Sequence, residues 1–212
     1  GGFVAEWWGW RAAFLLVGAP GLLIALLVRF TMIEPPRGFA DGVKPPPLGK
    51  VNVWAGFASL WNVRTTRHVV CGVTLTALVG YGTIVWAPAF LIRSHGMTPS
   101  EVGLFYLALA FYMPAAFLGA FYLGPSFGMI QSLTPLRSRA LASAIMLFIL
   151  NLFGLGFGPQ LIGIASDLMR VWFESDSLRY ALLAATFVNV WASAHYYLAG
   201  KTLKQDTANV IG

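Results

Sequence analysis

The chain has 212 residues, of which 58% are hydrophobic and only 10% charged, with a mean hydropathy of +0.71. Soluble domains carry roughly a quarter charged residues, so this composition excludes a water-soluble globular fold and indicates an all-α, polytopic membrane protein. The net charge of +6 does not indicate nucleic acid, because Lys and Arg occupy short segments between apolar runs, where they set membrane orientation. The single cysteine, Cys71, lies inside an apolar run and excludes an intramolecular disulfide or a multi-cysteine metal site. The chain opens with Gly1-Gly2-Phe3-Val4-Ala5-Glu6, without an initiator Met or a basic leader, as expected for the interior of a longer protein.

A helix crosses a bilayer core of about 30 Å with about 20 apolar residues. Five stretches meet that requirement. Ala12 to Ile33 is stopped by Glu34-Pro35-Pro36-Arg37, and Arg29 near its end can reach the interface. A loop follows, with Lys44-Pro45-Pro46-Pro47 and an apolar stretch, Val51 to Val63, that is too short to span and reads as an interfacial helix. His68 to Ile92 is the second span, with Pro88 expected to kink it near its end. Val102 to Leu133 has 32 residues without a charge. As one straight helix it would be about 48 Å long, more than one comfortable span. Ala140 to Ala165 and Tyr180 to Gly200 are the last two, separated by the charged loop Arg170 to Arg179.

The loops alternate in charge. Residues 34–67, 134–139 and 201–212 hold nine Lys and Arg: Arg37, Lys44, Lys50, Arg64, Arg67, Arg137, Arg139, Lys201 and Lys204. The opposite loops hold four: Arg11, Arg93, Arg170 and Arg179. The positive-inside rule therefore predicts the amino-terminal end outside and the carboxyl terminus in the cytoplasm.

None of the five spans contains Asp or Glu, so no carboxylate for a proton relay lies at membrane depth. The polar side chains there are neutral: Thr74, Thr76, Tyr81, Thr83, Tyr112, Tyr122, Ser126, Gln131, Asn151, Gln160, Asn189 and His195. Each on its own is accounted for by an interhelical hydrogen bond. Together they suit a cavity for an amphipathic or lipid-like solute better than one for an ion. Tyr81, set between Gly80 and Gly82 and followed by Thr83 and Trp86, combines close backbone approach with a ring and hydroxyls. Gly154, Gly156 and Gly158 follow Asn151 without the strand or the lysine of a phosphate loop, and are expected to permit bending and helix contact. His68, His95 and His195 are far apart in sequence, with no metal-binding spacing. His195, beside Tyr196 and Tyr197, reads as an interfacial anchor. No enzyme constellation, cofactor or metal site is expected.

Particular motifs resemble a known family. Gly9-Trp10-Arg11-Ala12-Ala13-Phe14, Gly18-Ala19-Pro20-Gly21-Leu22 and Glu34-Pro35-Pro36-Arg37-Gly38 resemble the fifth-to-sixth helix region of a major facilitator superfamily transporter. Ala87-Pro88-Ala89-Phe90-Leu91-Ile92-Arg93-Ser94-His95-Gly96-Met97 resembles the end of helix seven in the spinster-like branch. Leu123-Gly124-Pro125-Ser126, Arg139-Ala140-Leu141-Ala142-Ser143-Ala144-Ile145 and Gly156-Phe157-Gly158-Pro159 through Asp167 resemble helices ten and eleven, and Arg179-Tyr180-Ala181-Leu182 the start of helix twelve. The family's cytoplasmic Asp-Arg motif between helices eight and nine has no counterpart after Glu101, so those helices are expected to be missing, with the start of helix eight running into helix ten near Phe105 to Met113.

The resemblance implies a partial major facilitator fold with about five spans. It divides into residues 1–33 (helix six-like span), 34–67 (cytoplasmic central loop), 68–200 (helices seven, ten, eleven and twelve) and 201–212 (cytoplasmic tail). It also implies transport of a small organic or lipid-like solute across the inner (plasma) membrane, with Tyr81, Thr83, Trp86, Tyr122 and Asn151 lining the cavity. The expected partners are the lipid bilayer, the solute and the missing transporter half. The alternatives are a truncated, non-transporting membrane protein and, with less support, a membrane-bound lipid enzyme.

Overall fold

The computed structural model describes residues 2–32, 52–108, 117, 119–135 and 138–211, and all regular structure among them is helical. α1 (Gly2–Thr31) is broken at Gly9, whose φ of 79° is open to glycine and strained for other residues, separating Trp7 and Trp8 from the span proper. Its end is closed by Thr31 Oγ1 donating to Leu27 O at 2.6 Å. α2 (Val53–Asn62) is the short helix expected in the central loop, and its start is capped by Asn52, whose Oδ1 accepts from Ala55 N–H at 3.2 Å.

α3 (Arg64–His95) is the organising helix. It continues through Pro88 and stops at Gly96, where a left-handed φ of 65° turns the N–H back onto the Leu91 and Ile92 carbonyls. α4 (Pro99–Ala108) begins with a capping box: Thr98 N–H and Oγ1 donate to the Glu101 carboxylate at 2.8 and 2.9 Å, and Glu101 N–H donates to Thr98 Oγ1. Those two bonds hold the Glu101 carboxyl below the usual carboxylate range.

α5 (Leu123–Ser132) and α6 (Arg139–Ile149) lead into a π-helical segment, Leu150–Phe157, which passes directly into α7 (Gly158–Phe173). A 3₁₀ turn at Glu174–Asp176 reverses the chain into α8 (Ser177–Ile211). Glu174 sits at φ 44°, a strained value for a residue with a Cβ.

Two buried clusters hold the bundle, and α3 supplies side chains to both. Val69, Val73 and Ala77 of α3 pack with Ile130 of α5, Ile145 and Met146 of α6, and Ala199 of α8. Further along, Trp86, Ala89 and Phe90 pack around Ile162 of α7 and Leu178 and Ala181 of α8. Lipid tails are as apolar as Leu, so helix association in a bilayer depends on close van der Waals contact, which small residues allow. Glycines of the π segment and of the start of α7 do this: a Cβ on Gly158 would lie 2.5 Å from Leu78 O, and one on Gly154 would lie 2.9 Å from Ala77 Cβ.

Helices therefore cover four of the five expected spans. Among the described residues, three stretches are long and apolar enough to cross a membrane: Trp7–Thr31, Arg64–His95 and Arg139–Asn209, the last being two passes joined at the 3₁₀ turn. Val102 to Leu133 gives α4 and α5, each of ten residues, while 109–116 and 118 of that region lie outside the described residues. Most of the Phe105 to Met113 junction is among them.

The packing yields a test. Gly158→Ala forces a methyl against the Leu78 carbonyl and is expected to destabilise the bundle by about 1–3 kcal/mol, the usual cost of overpacking. Gly80→Ala, where a Cβ meets nothing within 4 Å, should leave stability unchanged or slightly raised in a thermal melt of the detergent-solubilised chain.

Candidate solute-cavity site

The five predicted cavity residues separate into two groups. Tyr81 of α3 and Tyr122, the residue preceding α5, both pack on the first core cluster, and Tyr122 lies in electrostatic reach of Tyr81 and of Tyr196 on α8. Tyr81 is positioned by Gly154, which leaves its ring room at 3.0 Å from where a Cβ would stand. Tyr122 is held through its carbonyl, which accepts the Ser126 hydroxyl at 2.6 Å.

Trp86 belongs instead to the second cluster, one helix face further along α3. Its Nε1–H donates to Pro159 O at 2.7 Å, and its ring lies against Gly163, where a Cβ would approach to 2.8 Å. Proline at 159 gives up its own N–H at the start of α7, and the indole uses the carbonyl of the same residue. Asn151, on the π segment, donates through Nδ2 to Leu147 O at 2.8 Å. Thr83 is half-buried on α3. The structure thus brings Tyr81 and Tyr122 together and sets Trp86 apart from them.

Tyr196, not among the five cavity residues expected from the sequence, joins the tyrosines. Its ring covers Gly72 of α3, and a Cβ at 72 would meet it at 3.1 Å. Its hydroxyl is buried beside the hydroxyls of Thr76 and Ser126. The neighbouring Thr76 and Ser126 hydroxyls donate to the backbone, to Gly72 O at 2.9 Å and Tyr122 O at 2.6 Å. Tyr196 thus adds a buried hydroxyl to the cluster on which Tyr81 and Tyr122 pack. The signal in the sequence was Gly72, a small residue that makes room for a large ring.

His68 and His195, far apart in sequence, meet across α3 and α8 with Nδ1 to Nδ1 at 3.0 Å. His195 is therefore half-buried and bonded within the bundle, a correction to its reading as an interfacial anchor. At the other end of α3, a cavity of about 540 Å³ is lined by Arg93, Arg170, Glu174, Ser175, Ser177 and Leu178, none of them among the predicted five. No cluster of three or more metal-ligating side chains occurs among the described residues.

The sequence model of the Major Facilitator Superfamily matches residues 1–200. The chain belongs to that superfamily. An MFS-type efflux pump of Mycolicibacterium smegmatis is 25% identical, over 97% of this chain and 60% of that protein. That alignment runs over 262 positions against the 212 residues here, so at least 50 of them have no counterpart in this chain. Protein spinster homolog 1 of Rattus norvegicus is 35% identical over 96 residues, which is 42% of this chain and 18% of that protein.

Among solved structures, the chain is similar to a bacterial homolog of the human lysosomal transporter Spinster, in an inward-facing and occupied conformation. The TM-score is 0.62 at 25% identity, covering 93% of this chain and 59% of that one. The chain is thus a member of the major facilitator superfamily similar to spinster proteins, an integral membrane protein with a partial form of the superfamily's fold. It spans about three fifths of the length of the efflux pump and of the solved Spinster homolog.

The two groups of aromatic side chains are expected to respond differently to substitution. Trp86→Phe removes the bond to Pro159 O and should lower stability by about 1 kcal/mol. Tyr196→Phe removes a hydroxyl whose neighbours, Thr76 and Ser126, already donate to backbone carbonyls, and should shift the thermal midpoint less than Trp86→Phe does.

Proposed function

We propose that the chain is the carboxyl-terminal, membrane-embedded part of a secondary transporter that moves an amphipathic or lipid-like organic solute. In this reading the transporter works by rocking two halves about a site at mid-membrane depth. The observation that carries the proposal is the likeness, over 93% of the chain, to a Spinster homolog in an inward-facing and occupied conformation. The neutral character of the helices adds to it, because Tyr81, Thr83, Tyr122 and Asn151 offer hydroxyl, ring and amide groups without a charge at that depth. Trp86 is included as a cavity wall that its bond to Pro159 holds in place. The amino-terminal end is assigned to the outside and the carboxyl terminus to the cytoplasm, on the nine-to-four distribution of Lys and Arg. The membrane is assigned as the inner (plasma) membrane.

A second reading, a membrane protein that inserts without transporting, has its own support. α1 packs on α4 but exposes its apolar side chains, with Phe30 83% and Leu15 75% accessible. The surface that a second half would cover is therefore open. The missing positions in the alignment with the efflux pump point the same way.

One assay separates the two readings. The chain, reconstituted into liposomes, is tested for movement of an amphipathic dye, ethidium first. It is then tested again after fusion to the helices that the efflux-pump relative has and this chain lacks. Transport is expected from the completed protein and not from the chain alone. Tyr122→Ala in the completed protein should reduce the rate by about tenfold, as for loss of one buried contact worth about 1.4 kcal/mol. A completed protein that inserts and moves no solute of this class contradicts the transport reading.

A further inference from the structure

The seam between α3 and α8 carries a polar ladder at the end nearer the carboxyl terminus. Thr65 N–H donates to Asp206 Oδ2 at 2.8 Å, and Thr65 Oγ1 meets Thr202 Oγ1 at 2.7 Å. One turn further along α3, His68 and His195 meet with Nδ1 atoms 3.0 Å apart, ring centroids at 5.3 Å and planes inclined by 42°. Trp191 closes the far side of His195 at 6.0 Å between centroids. Val69 and Ala199, both fully buried, lie next to this ladder and keep it dry on the core side.

A contact between two imidazole nitrogens has a simple proton rule. One Nδ1 must carry a hydrogen and the other must not. The neutral pair satisfies this with opposite tautomers. One added proton also satisfies it, because an imidazolium donates to a neutral ring in a charge-assisted bond, and such bonds are the stronger kind. A second added proton leaves both Nδ1 atoms as donors and two positive rings face to face, so the contact has to open.

The surroundings favour no other partner. Arg67, next to His68, is in electrostatic reach, Arg64 lies one turn before His68 on α3, and the thiol of Cys71 lies one turn further along. On α8, Lys201 is drawn over the Tyr197 ring at 4.6 Å, Lys204 lies beyond it, and Asp206 is held by Thr65. Elsewhere around α3, helices α2 and α5 and the π segment contain no Asp, Glu, Lys, Arg or His. Arg139 of α6 donates to Thr134 O. Asp167 and Arg170 of α7, and Glu101 of α4, lie toward the opposite end of α3. Of the carboxylates on these elements and α8, Asp206 alone lies at this end of α3, and it accepts from Thr65 N–H.

We propose that His68 and His195 form a proton-binding site that holds one shared proton across the α3–α8 seam and parts when a second binds. The first proton tightens the two helices at that end, and the second frees them. The site is built from this chain's own residues and holds whether or not the chain transports a solute.

The test uses the chain in nanodiscs with ¹⁵N-labelled histidine, following all three imidazoles by NMR from about pH 8 to about pH 4, a range that brackets the ordinary histidine titration. His95, exposed at the far end of α3, is the internal reference. His68 and His195 are expected to show opposite Nδ1 tautomers at neutral pH. They should take up protons in two steps at least about tenfold apart in affinity. Removing either ring, by His68→Gln or His195→Gln, should leave the other titrating in one step. Circular dichroism checks each variant, and whichever of the two keeps its helicity is used. A spin-label distance between Arg64→Cys and Lys204→Cys, on a Cys71→Ser background, should lengthen as the second proton binds. It should not do so in the double glutamine variant. Two rings that titrate in single steps, each unaffected by loss of the other, overturn the proposal, as does a spin-label distance that ignores pH.

Discussion

The bundle depends on how closely α3 can approach the π segment and α7. In water, burial of Leu and Phe would hold helices together; in lipid that force is absent, and contact between backbones takes its place. Gly154 and Gly158 supply the contact, leaving Ala77 and the Leu78 carbonyl no space for a Cβ between the helices. From that crossing the rest follows. Trp86 falls within reach of Pro159 O, Tyr81 comes to lie over Gly154, and α8 can pack against α3 on the remaining side. The π segment fits the same requirement, since a widened turn lets the chain change its facing residues just where the glycines must point at α3.

Spans were legible because their signal is physical and local. Long apolar runs bounded by Arg11, by Glu34 with its prolines, or by Asp167 leave few choices, and α1, α3, α7 and α8 lie where those runs do. The glycine run after Asn151 was also legible as a place of close contact. Its π geometry was not, because backbone widening has no residue code. The meeting of His68 with His195 was illegible for another reason: it depends on which faces of two helices are apposed, and sequence spacing between residues 127 apart carries no information on that. Tyr196 was missed through the same gap, since a tyrosine near a span end serves the interface or the core according to whether its neighbour is a glycine.

The candidate site was legible as a composition and not as a constellation. Neutral hydroxyl and ring side chains at depth define a kind of surface, and the structure gathers Tyr81 and Tyr122 with Tyr196 into one part of it. Trp86 faces a different cluster and acts through packing and one hydrogen bond. In a transporter built from two rocking halves, a tyrosine group on one half becomes a binding surface only when the other half closes over it. The accessible apolar flank of α1 has the same character, a surface made to be covered by helices or by lipid.

The most direct measurement is a disulfide cross-link formed in native membranes between Ala77→Cys and Gly154→Cys, on a Cys71→Ser background. A Cβ at 154 would stand 2.9 Å from Ala77 Cβ, and disulfides need about 3.5–4.5 Å, so a small relaxation suffices. Ready cross-linking by a mild oxidant, with none from a Gly80→Cys partner in place of Ala77→Cys, is the result expected if the chain assembles the major facilitator arrangement by itself. Equal reaction of both pairs, or of neither, would mean that α3 and the π segment do not meet in this way in the bilayer.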